Sequence, residues 1–79
     1  MKAKIHVTLK SGILDPQGKA IEHALATLGF TNAGQVRVGK YLELDVNETD
    51  KAKVETQVKA MCEKLFANTV IEEYRYEVG

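Results

Sequence analysis

From Ala3 to Leu9 the chain alternates without a break: Ala3, Ile5, Val7 and Leu9 share one face, and Lys4, His6 and Thr8 share the other. A period of two predicts a half-buried strand. The pattern then changes period. Asp15 offers a carboxylate to the orphan amides of a helix start, and Pro16 suits the first helical position because its missing N–H had no partner there. Ala20, Ile21, Ala24, Leu25 and Leu28 follow at helical spacing, and Gly29 stands where a left-handed cap ends such a helix. Beyond it, Val36 and Val38 alternate with Gln35 and Arg37, and Leu42, Leu44 and Val46 alternate with Tyr41, Glu43 and Asp45. Gly39-Lys40 between them predicts a two-residue turn joining two antiparallel strands. Thr49 or Asn47 can cap a second helix with the stripe Val54, Val58, Met61, Cys62 and Leu65, ended near Asn68. Val70 to Val78 alternates again as a last strand.

Strand, helix, strand, strand, helix, strand predicts an α+β, ferredoxin-like βαββαβ fold: a four-stranded antiparallel sheet with two helices on one face. The uncovered face would present His6, Thr8, Arg37, Tyr41 and Glu43. Seventy-nine residues make a single domain, 1–79, and so short a chain buries only about 60–65% of its unfolded surface. A second copy on the bare face would add burial that one chain cannot supply. Eleven Lys and Arg balance eleven Asp and Glu, so no net charge draws the molecule to nucleic acid or an anionic membrane. One cysteine cannot form an internal disulfide, and no apolar run approaches the roughly 20 residues that span a bilayer. The chain therefore reads as cytoplasmic.

Reactive constellations are few. Gly34 to Tyr41, GQVRVGKY, nearly matches the phosphate loop G-x-x-x-x-G-K-[ST], but Tyr41 replaces the magnesium-binding hydroxyl and strand-like sequence follows the lysine. His6 and His23 lie on different elements without a zinc-like partner, and both are expected to be solvated. Cys62 falls on an apolar stripe, as a buried small hydrophobe does. Glu72 and Glu73 point to opposite faces of a strand, which suits a solvated edge better than acid–base chemistry. Tyr74 and Tyr76 share one face, the pattern of core or interface packing and not of a ligand platform, with interface packing favoured. Gly18, at the third helical position, weakens its helix by roughly 0.5–1 kcal/mol relative to alanine, which suggests close approach of another backbone or a ligand.

The stretches VTLKSGILDPQGKAIEHALATLGF (residues 7–30), VRVGKYLELDV (residues 36–46) and the ending VIEEYRYEV resemble PurS, the small-subunit family of phosphoribosylformylglycinamidine (FGAM) synthase. The resemblance covers essentially the whole chain, and LK-x-G-[IV]-LDPQG is its most specific segment; Thr69 departs from the proline that many relatives carry. It implies a non-catalytic adaptor in purine biosynthesis, where formylglycinamide ribonucleotide, ATP and glutamine give FGAM. A PurL-type synthetase subunit and a PurQ-type glutaminase subunit would be its partners, with ammonia passing between them, and the chain itself a homodimer or homotetramer. ATP, magnesium and glutamine would be used by the ligase complex, with no catalytic residue, metal or cofactor on this chain. On that resemblance Asp15, Pro16, Gln17 and Gly18 form one expected partner-binding surface, and Arg37, Lys40 and Tyr41 a second. Two readings from other classes stand beside it: an ACT-like module binding a small regulator, and an acylphosphatase-like enzyme, which the absence of arginine from Lys10–Leu14 disfavours.

Overall fold

The computed structural model describes residues 1–79. Its sheet has three strands in the order β2-β1-β3, with β1 Lys2–Leu9 in the middle, β2 Gly39–Asp45 and β3 Glu72–Val78. Both pairings are antiparallel, from Lys2↔Asp45 to Thr8↔Gly39 on one side and from Ala3↔Val78 to Leu9↔Glu72 on the other. Helix α1, Pro16–Thr27, lies between β1 and β2 in sequence, and α2, Lys51–Met61, between β2 and β3.

The expected fourth strand is absent. A type II′ turn at Gly39-Lys40 needs positive φ at its first residue, and Gly39 is not among the residues with positive φ. Glycine is there for another reason: a Cβ at Gly39 would run into the Val7 carbonyl of the neighbouring strand. The chain passes straight through, so Val36–Val38 is a lead-in to β2 that pairs with no strand. Its amides go to side chains instead, as described below.

The core is small and one-sided. Ala3, Ile5 and Val7 of β1 meet Val54 and Val58 of α2, with Cys62 and Ala67 following. Leu42, Leu44, Phe66, Tyr74 and Tyr76 pack around them half-buried. The two tyrosines thus belong to the core face, with ring centroids 6.5 Å apart. Burial pushes the Cys62 thiol above its ordinary pKa, as suits a packed hydrophobe. Asp50, not Thr49 or Asn47, caps α2, its carboxylate accepting from the Ala52 amide at 3.0 Å. A wide π turn, Cys62–Phe66, then extends the helix, closed by the Ala67 amide on the Cys62 carbonyl at 2.8 Å. The extra residue in that turn rotates Phe66 and Ala67 inward and leaves Leu65 77% exposed, contrary to the simple stripe.

Helix α1 departs furthest from expectation, because it does not lay its apolar stripe on the sheet. Gly18 is its only buried residue, while Ile21 and Leu28 are exposed. Gly29, at φ +97°, supplies the expected left-handed stop. With α1 standing off, the molecule measures 49 × 24 × 14 Å and has a radius of gyration of 16.0 Å. A compact chain of this length has about 12 Å.

Candidate functional site

Asp15 begins the site. Its backbone is extended, at φ −108° and ψ 96°, so its side chain can fold back over the helix it starts. One carboxylate oxygen, Oδ1, accepts the Gly18 amide at 2.8 Å, and the other, Oδ2, accepts the Val38 amide at 2.8 Å. The first bond caps α1; the second reaches 23 residues along the chain to the lead-in of β2. Glu22 repeats the device about two helical turns further on. Its Oε1 accepts the Val36 amide at 3.3 Å, and its Oε2 pairs with Lys19 at 3.4 Å. Alternate amides of one extended segment therefore face two carboxylates on one side of one helix.

These bonds lower both acids. The Val38 and Gly18 amides, with the Arg37 guanidinium nearby, hold Asp15 below the ordinary aspartate value. The Val36 amide, aided by Lys19, does the same for Glu22. Between the two acids Gly18 presses on the Val36 carbonyl oxygen, where any Cβ would collide. The close backbone approach expected at that glycine is thus made by the chain's own segment. Gln35 adopts φ 55°, a left-handed conformation uncommon for a residue with a side chain, as the segment enters. Beyond it Arg37 donates to the Leu9 carbonyl at the end of β1.

The two surfaces expected separately prove to be neighbours. Pro16, Gln17, Val38, Gly39 and Lys40 line one shallow groove with Glu72. Asp15 is buried there and serves as an internal tie, while Pro16, Gln17, Arg37 and Lys40 are exposed. Gly18 is buried as well, so neither it nor Asp15 offers itself to a partner directly.

Tyr41 faces a different direction. It lies opposite His6 across the β1–β2 ladder, ring centroids 4.7 Å apart, and its hydroxyl donates to Glu43 at 2.7 Å. That bond raises the tyrosine and lowers the glutamate. With His6, Thr8, Lys40, Glu73 and Arg75 it lines an open depression of about 490 Å³ on the uncovered sheet face. His6 is half-buried, with Nδ1 shielded and unpartnered, so it is not the solvated residue expected; His23 is exposed. Arg37, expected on this face, lies past the strand end.

Glu22 escaped the sequence reading, although its spacing from Asp15 puts both acids on one helix face. No group of three or more His, Cys, Asp or Glu is arranged to hold a metal ion. No helix is long and apolar enough to cross a membrane.

Against known proteins, residues 2–79 match the family described as PurS: Phosphoribosylformylglycinamidine (FGAM) synthase. The PurS subunit of FGAM synthase from Bacillus subtilis is 52% identical over 77 residues, spanning 98% of this chain and 90% of that one. The crystal structure of Methanocaldococcus jannaschii PurS superposes with a TM-score of 0.88 at 40% identity, covering 99% of this chain and 94% of that chain. A chain in the structure of PurLQS from Thermotoga maritima superposes with a TM-score of 0.88 at 36% identity, covering 96% and 93%.

Proposed function

The chain belongs to the PurS family and is a subunit of FGAM synthase in purine biosynthesis, and from that premise we propose that it works as a non-catalytic adaptor. Its partners are a PurL-type synthetase and a PurQ-type glutaminase, in keeping with the PurLQS structure from Thermotoga maritima. The adaptor fixes the two enzymes so that ammonia released from glutamine reaches the activated amide before water protonates it to unreactive ammonium. ATP, magnesium and glutamine are consumed by the complex, and no residue of this chain is assigned to them. The complex works in the cytoplasm.

One observation supports the adaptor reading most directly: the isolated chain has too much surface. It exposes 5757 Å² at a mass of 8.8 kDa, where a compact monomer exposes about 4,800 Å². The excess is of the order that one partner contributes to a standard interface, about 800 Å². Much of it is apolar, since Leu14, Ile21, Leu28 and Phe30 are all exposed along or beside α1. A second copy of the chain packing on the α1 arm answers this excess, giving a homodimer or a tetramer of two such pairs. Gln17, Arg37, Lys40 and Tyr41 remain accessible for the enzymes, and Asp15, Pro16 and Gly18 shape the turn that carries Gln17.

Reconstitution tests the assignment. The synthetase and glutaminase counterparts are mixed with and without this chain, and amidine formation is followed with glutamine and separately with ammonia. Omitting the chain is expected to abolish the glutamine-driven reaction and to spare much of the ammonia-driven one. Equal glutamine-driven rates with and without the chain refute the adaptor role. Sedimentation of a lone 8.8 kDa species at assay concentration refutes the oligomer.

A further inference from the structure

Helix α1 carries an apolar stripe and the LDPQG turn, yet buries only Gly18 against the rest of the chain. Within one chain, what fixes its direction is therefore not a packed core. The segment Val36–Val38 is tied at two places to α1, through Asp15 Oδ2 to the Val38 amide and through Glu22 Oε1 to the Val36 amide. The same segment is tied to the sheet, through Arg37 to the Leu9 carbonyl and through its covalent continuation into β2. It is thus a strap with one attachment on the helix and one on the sheet. Gly18 allows the strap to lie flush, because a side chain there would hold it off.

We propose that Asp15 and Glu22 form a two-carboxylate latch that sets the angle of α1 to the sheet through the strap, making both positioning residues for assembly. This goes beyond the adaptor reading and rests on it only where the consequence is read as activity. The charged groups facing the latch are Lys19 on α1 and Arg37 on the strap itself. A carboxylate suits this role better than an amide, because both of its oxygens accept. Asp15 uses one oxygen for the cap and the other for the strap, and an asparagine would aim a donor at one of the two amides.

Asp15→Asn therefore keeps a good helix cap while cutting the strap bond. Glu22→Ala cuts the second tie without harming helix propensity. Glu48→Gln, far from the strap, is the control, since Glu48 also accepts backbone amides, those of Thr49 and Asp50. In wild type, N–H residual dipolar couplings of α1 and β1 are expected to fit one rigid frame. In the double variant they are expected not to, with the Val36 and Val38 amides exchanging about tenfold faster and Ile5 and Val58 unchanged, as loss of charge-assisted bonds requires. The half-saturating concentration of the subunit in the glutamine-driven assay should rise at least about tenfold, with the plateau recovered at high concentration. Unchanged couplings and amides overturn the latch, and so does a mobilised strap with an unchanged half-saturating concentration. If the double variant also loses protection at Val58, Asp15→Asn alone is scored by the same criteria. A wild-type chain that never supports the glutamine-driven reaction defeats the adaptor reading, while the couplings and amides still decide the latch.

Discussion

Gly18→Ala makes two physical arguments disagree in sign. Inside a helix alanine outdoes glycine by about 0.5–1 kcal/mol, so local propensity says that the substitution stabilises. The fold says the opposite. A methyl at this position enters the Val36 carbonyl oxygen and comes within 3.1 Å of the Asp15 carboxylate. Both are held atoms: the strap carbonyl by the latch and the carboxylate by two amides. Overpacking of this kind costs about 1–3 kcal/mol. Set against the propensity gain, the substitution destabilises by about 1 kcal/mol. For a domain of this size that lowers the thermal midpoint by roughly 4–8 °C. Calorimetry at matched concentration measures it, with matching required because assembly itself raises the midpoint. The relief route is outward movement of the strap, so the Val38 amide should lose protection in the same sample. A midpoint at or above wild type, with Val38 still protected, refutes the reasoning, because it means the helix and strap do not touch as described.

Three shorter expectations follow from other parts of the molecule. Val58→Ala empties part of a fully buried site between α2 and β1, which costs about 2–3 kcal/mol and lowers the thermal midpoint by roughly 10–15 °C; a drop of only a few degrees contradicts the core placement. Asp15 and Glu22 are both lowered from ordinary values of 3.8 and 4.5, so their contribution is complete above those values and is lost as pH falls through the lowered folded ones. Stability should therefore drop on acidification below about 4.5 and stay level just above it, and the gap between wild type and Asp15→Asn should close in acid. A gap that persists unchanged at low pH contradicts the charge-assisted tie. Tyr41→Phe removes the hydroxyl that holds Glu43 down, so the Glu43 carboxyl should titrate nearer its ordinary value in a carbon-detected titration; no movement means that the 2.7 Å bond is not formed in solution.

The central strand was readable because its signal is local and complete: seven residues of strict alternation, with Ala3, Ile5 and Val7 buried under α2 and Lys4, His6 and Thr8 exposed or half-buried on the other face. The start of α1 was readable for the same reason, since Asp15, Pro16 and Gly18 meet within a single turn. The false strand at Gln35–Val38 shows where that kind of reading stops. Alternation around a glycine describes a hairpin and an uninterrupted extended chain equally well, and no residue in the stretch distinguishes them. The distinction comes from Asp15 and Glu22, which lie 23 and 14 residues away and take the amides that a further strand would have needed. The second helix failed in a milder way, because one wide turn shifts the inward face from Leu65 to Phe66 and Ala67.

The misplaced apolar stripe of α1 has a different cause. Ala20, Ile21, Ala24, Leu25 and Leu28 do mark an amphipathic helix, and a helix with such a stripe must bury it. What the pattern leaves open is the chain on which it is buried. In an 8.8 kDa domain whose single core already uses α2, that stripe is left largely exposed, and the adaptor reading proposed above assigns it to a second chain. The residues that hold it in position within the chain act through hydrogen bonds and not through burial. The ties from the strap to α1 are accordingly two carboxylates, with one glycine letting the strap lie flush and one arginine anchoring it to the sheet, where a packed helix would show leucines. The part of the molecule placed by these non-local ties was accordingly the least legible from local periodicity.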